Sequence, residues 1–331
     1  MKRSIAAVCA LLISCGRPPL DTEGIDPEYI ANFSPAPELM ESKENPYSEE
    51  KAALGRMLYF ETRLSKEKNI SCNSCHPLDR YGVDGKVTST GHRGQRGARN
   101  APTVYFAAGH KLQFWDGRAK DVEEQAKGPM MNPVEMAMTD AREVEKTLRS
   151  IPGYAPLFAK AFPGDAQPVT LDHAAQAIGA FERKLVTPSR WDRFLKGDKT
   201  ALTKEEQAGF LAFYKAGCVV CHGGTYLGGQ VFMKLGLYKP WPNESDLGRY
   251  ALTRKDADRL VFKAPSLRNV EKTGPYFHDG SVPTLEKAVQ LMAEHQVEKP
   301  VTESEQKRIL VWLPSLTGDL PTAYITPPQL P

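Results

Sequence analysis

Beyond position 15, every cysteine of the chain falls in one of two five-residue motifs, CNSCH at Cys72–His76 and CVVCH at Cys218–His222. C-x-x-C-H is the spacing at which two thiols add to the vinyl groups of a c-type haem while the adjacent histidine binds its iron. This predicts two covalent haems, one on Cys72, Cys75 and His76 and one on Cys218, Cys221 and His222. Two other chemistries use such cysteines. A thioredoxin-like pair needs a βαβ setting and no following histidine. A zinc site built from the four thiolates leaves both histidines unexplained.

The sixth ligand of each iron then decides what it does. A Met–His iron has a raised potential and accepts electrons, whereas an iron with an open face binds a small substrate. Met292 lies 70 residues after His222, just before a closing helix, and is the expected axial ligand there. Met233 comes too early, and His295 is the competing ligand. The first half holds a methionine cluster (Met130, Met131, Met136, Met138) and also His92, in STGHRGQRGARN, sixteen residues after His76. A lone histidine is ordinarily a surface or capping residue. On a loop with Gly91, Gly94 and Gly97 it is also a candidate ligand that binds in one state and swings away in another. His110 and His173 read as surface residues.

These groups need elements to hold them, and the surroundings of the two motifs repeat. KAALGRMLYF precedes the first and EEQAGFLAFY the second; each has helical apolar spacing and a glycine four residues before an aromatic, Gly55–Tyr59 and Gly209–Phe213. Such a pair shares one helix face, where the small residue permits a close crossing. Each unit closes with an amphipathic segment, at 171–186 and 303–318. Little of the chain alternates with period two, so the expected fold is mainly α: two cytochrome c-like domains, 47–187 and 188–331, with long irregular connections and a C-terminal tail. Residues 187–200 join the two, with a turn at Gly197-Asp198.

The 331 residues are 41% hydrophobic and 25% charged, and the net charge of +3 includes Lys2 and Arg3. That balance is too neutral for a nucleic-acid binder, despite the Arg-Gly flavour of the His92 loop. MKRSIAAVCALLISCG has the basic start and short apolar run of a secretory leader. Its Leu12-Ile13-Ser14-Cys15 resembles a bacterial lipobox, so residues 1–15 read as a signal ending at an acylated Cys15. Cleavage near Ser14 with Cys15 a bystander is the alternative. Residues 16–46, with six prolines, read as an extended tether, and ordered structure is expected from about Pro46.

Taken together, ALGRMLYFETRLS (53–65), ISCNSCH, TGHRGQRGARNAPTV, QFWDGRAKDVEEQAKGPM, VFKAPSLRNV, TGPYFHDG and AVQLMAEHQ, through to LTG (316–318), resemble the bacterial di-haem cytochrome c peroxidases. That family reduces hydrogen peroxide to water with electrons from a small c-type cytochrome or cupredoxin. The resemblance implies that His76 is the proximal ligand of the peroxidatic haem and His92 its removable distal ligand. His222 and Met292 would hold the high-potential haem, and Trp115 would lie between the two. Glu135 and Gln125 match the distal pocket, where a carboxylate moves a proton between the two peroxide oxygens. A glutamate in a helix first turn could instead merely complement the helix dipole. Asn100 and the carbonyls of Thr273 and Pro275 match a calcium site between the domains, and His278 falls at that interface. The leader and tether lie outside the family's core pattern and suggest a periplasmic protein anchored by lipid on Cys15. Monomer and homodimer both stay open. Two other functions compete: a related di-haem oxidase that matures a cofactor on a partner protein, which carries tyrosine where Met292 stands, and a non-catalytic di-haem electron carrier.

Overall fold

The computed structural model describes residues 25–331, so the leader and Cys15 lie outside the described residues. The fold is mainly α, with two cytochrome c-like domains. The helices that position the site are α1 (Glu49–Tyr59), α2 (Val122–Met131), α3 (Leu171–Glu182), α4 (Lys204–Lys215), α5 (Leu285–His295) and α6 (Glu303–Trp312). One short antiparallel ribbon, β1 (Phe232–Lys234) with β2 (Val261–Lys263), is the sheet found among the described residues.

Each domain is built on a crossed helix pair that a glycine makes possible. A Cβ at Gly55 would sit 1.8 Å from the carbonyl oxygen of Ala177, so α1 and α3 meet backbone to backbone. The second domain repeats the device: a Cβ at Gly209 on α4 would lie 2.2 Å from the Arg308 carbonyl oxygen on α6. Tyr59 and Phe213, one turn on from those glycines, are buried beside the crossings. The caps are local. Ser48 accepts from Lys51 N–H at the start of α1, and capping boxes Thr203/Glu206 and Thr302/Glu305 start α4 and α6. Both closing helices are shorter than their apolar patterns: α3 ends at Glu182, and α6 gives way at Trp312 to a tighter turn, Leu313–Leu316. Pro314 has no N–H to continue the helical ladder.

The apolar interior forms separate clusters. One gathers Leu54, Tyr59, Tyr105, Phe158 and Phe181 of the first domain; another is organised on Trp191, Phe210 and Trp312 of the second. The chain ends by returning to the first cluster through Ile325.

One expectation about the connections is corrected. Residues 25–46 are not an extended tether: Phe33 inserts among Trp191 and Phe210 while Ala36 and Met40 join the first core. Pro27–Ile30 is a helical turn, so order begins well before Pro46. The prolines obscured three apolar anchors spaced to reach both cores, and the Ala36 N–H donates to the Asp192 carboxylate at 2.7 Å. The 187–200 connection is likewise packed. Arg190–Leu195 is helical with Trp191 fully buried, and Asp192 takes two 2.9 Å bonds from the Arg268 guanidinium. The turn at Gly197-Asp198 is at its far end, with Gly197 at φ +102°.

Candidate active site

Both C-x-x-C-H motifs open onto one cavity of about 1220 Å³. Ser71 caps the helical turn Cys72–Cys75, and His76 follows at its end. The His76 ring donates from Nδ1 to the Gly82 carbonyl at 3.2 Å, and the His222 ring does the same to Pro265 at 3.0 Å. Those bonds fix the tautomer and leave each Nε2 lone pair for a metal. Burial pushes both imidazoles below their usual pKa, which also favours the neutral ligand form. Burial pushes the Cys72 and Cys218 thiols up to about 12 and raises Cys75 and Cys221. Reactive redox thiolates are depressed instead, so the thioredoxin-like reading has no support here. No cluster of three or more metal-binding His, Cys, Asp or Glu side chains exists among the described residues, which leaves the four-cysteine zinc site without support. An apolar-lined space with two thiols and one oriented imidazole at each end fits two covalently attached haems.

In the second domain Met292, on α5, lines the cavity. His295, the competing ligand, does not: its ring donates from Nδ1 to the Lys239 carbonyl at 3.0 Å and packs edge-on against Trp241. Met233, discounted on spacing, also lines the cavity, from β1.

In the first domain Gln125, on α2, and Glu135 share the cavity wall. Glu135 is not in the first turn of a helix; it follows α2 in a turn that Asn132 organises. The Asn132 amide donates to Glu135 Oε1 at 2.8 Å while its own oxygen accepts Val134 N–H at 3.0 Å. Burial raises the Glu135 pKa against the opposing pull of Arg118 and the Asn132 bond. Such a carboxyl is poised to hold or release a proton. Asn132 and Arg118 were not singled out from sequence, although asparagine three residues ahead of a glutamate is a turn-forming signal.

His92 does not itself line the cavity; Gly91 and the stretch from Arg96 do. The His92 N–H is shared between the carbonyls of Val134 (2.9 Å) and Glu135 (2.8 Å), so the loop is docked on the Glu135 turn. Its glycines differ in purpose from the expected common flexibility. Gly94 has φ +77°, whereas Gly91 is there for contact: a Cβ would lie 2.0 Å from the Val134 oxygen.

Trp115 lies at the junction of the domains, lining the cavity. Its indole N–H donates to the Asn100 carbonyl at 2.9 Å and its own carbonyl accepts Lys263 N–H at 2.8 Å. Arg99 bridges the same seam, bonding Asp116 at 2.7 Å and Asp246 at 2.6 Å. His278 is buried there, stacked on Phe262, and its carbonyl accepts Asn100 N–H. Asn100, Thr273 and Pro275 all line the cavity. The Asn100 amide nitrogen donates to the carbonyls of Lys86 and Val87, which turns its side-chain oxygen away from them. His110 is not the surface residue expected. It lines the cavity with Nε2 unpartnered and Lys263 Nζ 3.5 Å from Nδ1, and a Cβ at Gly229 would strike its ring. His173 stacks on Phe162, away from the cavity.

A model of the di-haem cytochrome c peroxidases matches residues 49–200. Cytochrome c551 peroxidase of Nitrosomonas europaea is 47% identical over 278 residues, covering 83% of this chain and 82% of that protein. The cytochrome c551 peroxidase of Pseudomonas aeruginosa is 44% identical over 319 residues, covering 94% and 92%. The chain belongs to the di-haem cytochrome c peroxidase family. A solved MauG-like protein associated with microbial copper homeostasis has the same fold, with a TM-score of 0.77 and 31% identity over 89% of this chain and 96% of that one. Family membership implies two c-type haems, which is what the paired motifs and the shared cavity fit. Among the described residues of this family member, no helix is long and apolar enough to cross a membrane.

Proposed function

We propose that the protein reduces hydrogen peroxide to water at the first haem, using electrons that a small c-type cytochrome or cupredoxin delivers to the second. The observation that carries this reading is the asymmetry of the two ends of the cavity. The second domain contributes the thioether of Met292 to the cavity wall, whereas the first contributes an acid and an amide, Glu135 and Gln125, beside Met136. When bound, the haems supply electron storage and an iron at which peroxide can be reduced. Glu135 takes the proton from one peroxide oxygen and returns it to the departing one, and Gln125 orients the oxidant by its amide. Asn132 holds the Glu135 carboxyl in place through its 2.8 Å bond. Trp115, hydrogen-bonded to both domains, keeps their spacing fixed for electron passage. His92 would hold the first iron in the fully oxidised protein, and the seat of its loop on the Glu135 turn would be the alternative that leaves that iron free.

Met292 favours this reading over the cofactor-maturing oxidase, since a thioether ligand suits an electron-accepting haem. A plain electron carrier has no use for a half-buried acid on the cavity wall near the first motif. Calcium is assigned to the Asn100 side-chain oxygen with the Thr273 and Pro275 carbonyls, an all-oxygen set of the kind that ion prefers. The leader places the protein in the periplasm, with Cys15 acylated; Cys15→Ser should then release it from membranes.

The deciding experiment is peroxide-dependent oxidation of reduced cytochrome c by protein carrying both haems, assayed fully oxidised and after one-electron reduction. Turnover in either state supports the reading. Failure in both, with both haems attached, leaves the electron carrier or the cofactor-maturing oxidase.

A further inference from the structure

Glu182 is the buried acid that the chemistry above leaves unused. It ends α3, is 4% exposed, and lines the cavity on the side of the first motif. Among the described residues no hydrogen bond or ion pair engages its carboxyl. The local partners have gone to a second acid, Glu123 on α2. Its Oε1 accepts from Arg183 at 2.6 Å and from Asn45 at 2.8 Å. Gly179 makes room for that pair, since a Cβ there would lie 2.5 Å from the same oxygen. One carboxyl is thus neutralised and the other faces the space a haem must fill.

The remaining groups around Glu182 cannot take over its charge. From α1, Tyr59 donates its hydroxyl to the His76 carbonyl, and burial keeps the phenol neutral. Lys51 spends its ammonium on Asn45 and Pro46. Cys72, within electrostatic reach, would have no thiol left to titrate once its S–H has added across a haem vinyl group. The turn Ala107–Gly109 brings no charged side chain, and Tyr324 of the C-terminal tail donates to the Phe181 carbonyl. Burial, with the Glu123 charge adding to it and Arg183 opposing, pushes Glu182 up to about 8. An unpartnered buried carboxyl of this kind stays protonated near neutrality until positive charge appears beside it.

We propose that Glu182 is a redox-linked protonation site of the first haem, losing its proton when that iron is oxidised and regaining it when the iron is reduced. The balance is simple. Fe(III) takes one electron from the donor chain as the carboxylate takes one proton from solvent, and the pocket's net charge is unchanged. The extra positive charge of the ferric centre stabilises the carboxylate, so by reciprocity the proton stabilises the ferrous state. This rests on haem attachment at Cys72–His76 and is independent of peroxide turnover.

The test is a spectroelectrochemical titration of the protein with both haems, in the absence of peroxide, at a series of pH values around neutrality. The first haem's reduced-to-oxidised ratio at fixed potential should fall up to tenfold per pH unit, about 59 mV for a one-electron couple. In Glu182→Gln that slope should vanish while the second haem is unchanged. An unaltered slope in Glu182→Gln, no slope in the wild type, or a slope lost only in Glu135→Gln would each overturn the proposal. Should Glu182→Gln fail to assemble, reduced-minus-oxidised infrared spectra of the wild type decide. A deuterium-sensitive protonated-carboxyl band gained on reduction supports the assignment, and its absence refutes it.

Discussion

Replacing Gly91 by alanine should trap the first haem in its His92-bound form. In the docked loop the new Cβ would lie 2.0 Å from the Val134 oxygen and 2.8 Å from the Glu135 Cα. Reaching an ordinary 3.4 Å contact requires the loop to retreat by about 1.4 Å. The clash is with backbone, which cannot rotate aside. The same retreat pulls the His92 N–H from its 2.9 and 2.8 Å partners, Val134 and Glu135. Overpacking costs about 1–3 kcal/mol and a lost hydrogen bond about 1 kcal/mol, so the docked state should lose roughly 2–4 kcal/mol. At about 1.4 kcal/mol per tenfold, its population relative to the His92-bound state falls roughly 30- to 700-fold. The assay is the spin state of the first haem after one-electron reduction, followed by stopped-flow reaction with peroxide. Gly91→Ala should stay six-coordinate and low-spin and react correspondingly slowly, and His92→Gly in the same background should restore fast reaction. A Gly91→Ala protein that opens on reduction as readily as wild type would refute the reasoning, because the docked loop would then not be the competing state.

Glu135→Gln should leave haem content and peroxide access intact while slowing peroxide cleavage by roughly 10²–10⁴-fold, read in single-turnover kinetics. Met292→His should lower the potential of the second haem and stop electron entry with both haems retained, as a redox titration will report. Arg268→Leu should destabilise the protein by about 3–5 kcal/mol in chemical denaturation, since it strands the buried Asp192 carboxylate. Burial raises the Asp192 pKa, but the Arg268 bonds outweigh it and hold the group below its ordinary value. A depressed carboxylate stabilises the fold above its unfolded pKa, and that stability is lost as pH falls through the folded one. In wild type an acid-denaturation limb should therefore appear below about pH 4, and Arg268→Leu should lack the Asp192 part of it.

The cysteine motifs and the glycine–aromatic helix pattern were legible without coordinates. In each case the chemistry is set by neighbours in sequence: a thiol–thiol–imidazole spacing, or residues one helical turn apart. Gly55 and Gly209 could be read as crossing points because a helix face is fixed by local periodicity. Which backbone each one meets, Ala177 or Arg308, depended on how the chain returned 122 and 99 residues later. The proline-rich segment before Pro46 misled for a related reason. Local composition predicts local stiffness, not whether Phe33 and Met40 find a core. His110 reads as a surface residue until Lys263 and Gly229 arrive beside it from the other domain. Likewise Glu182 and Glu123 both look like solvated helix acids in sequence. Only the packing of α2 on α3 gives one of them Arg183 and leaves the other facing the cavity without a partner. Desolvation and long-range pairing set the charge state of a buried acid, and both are properties of the folded chain.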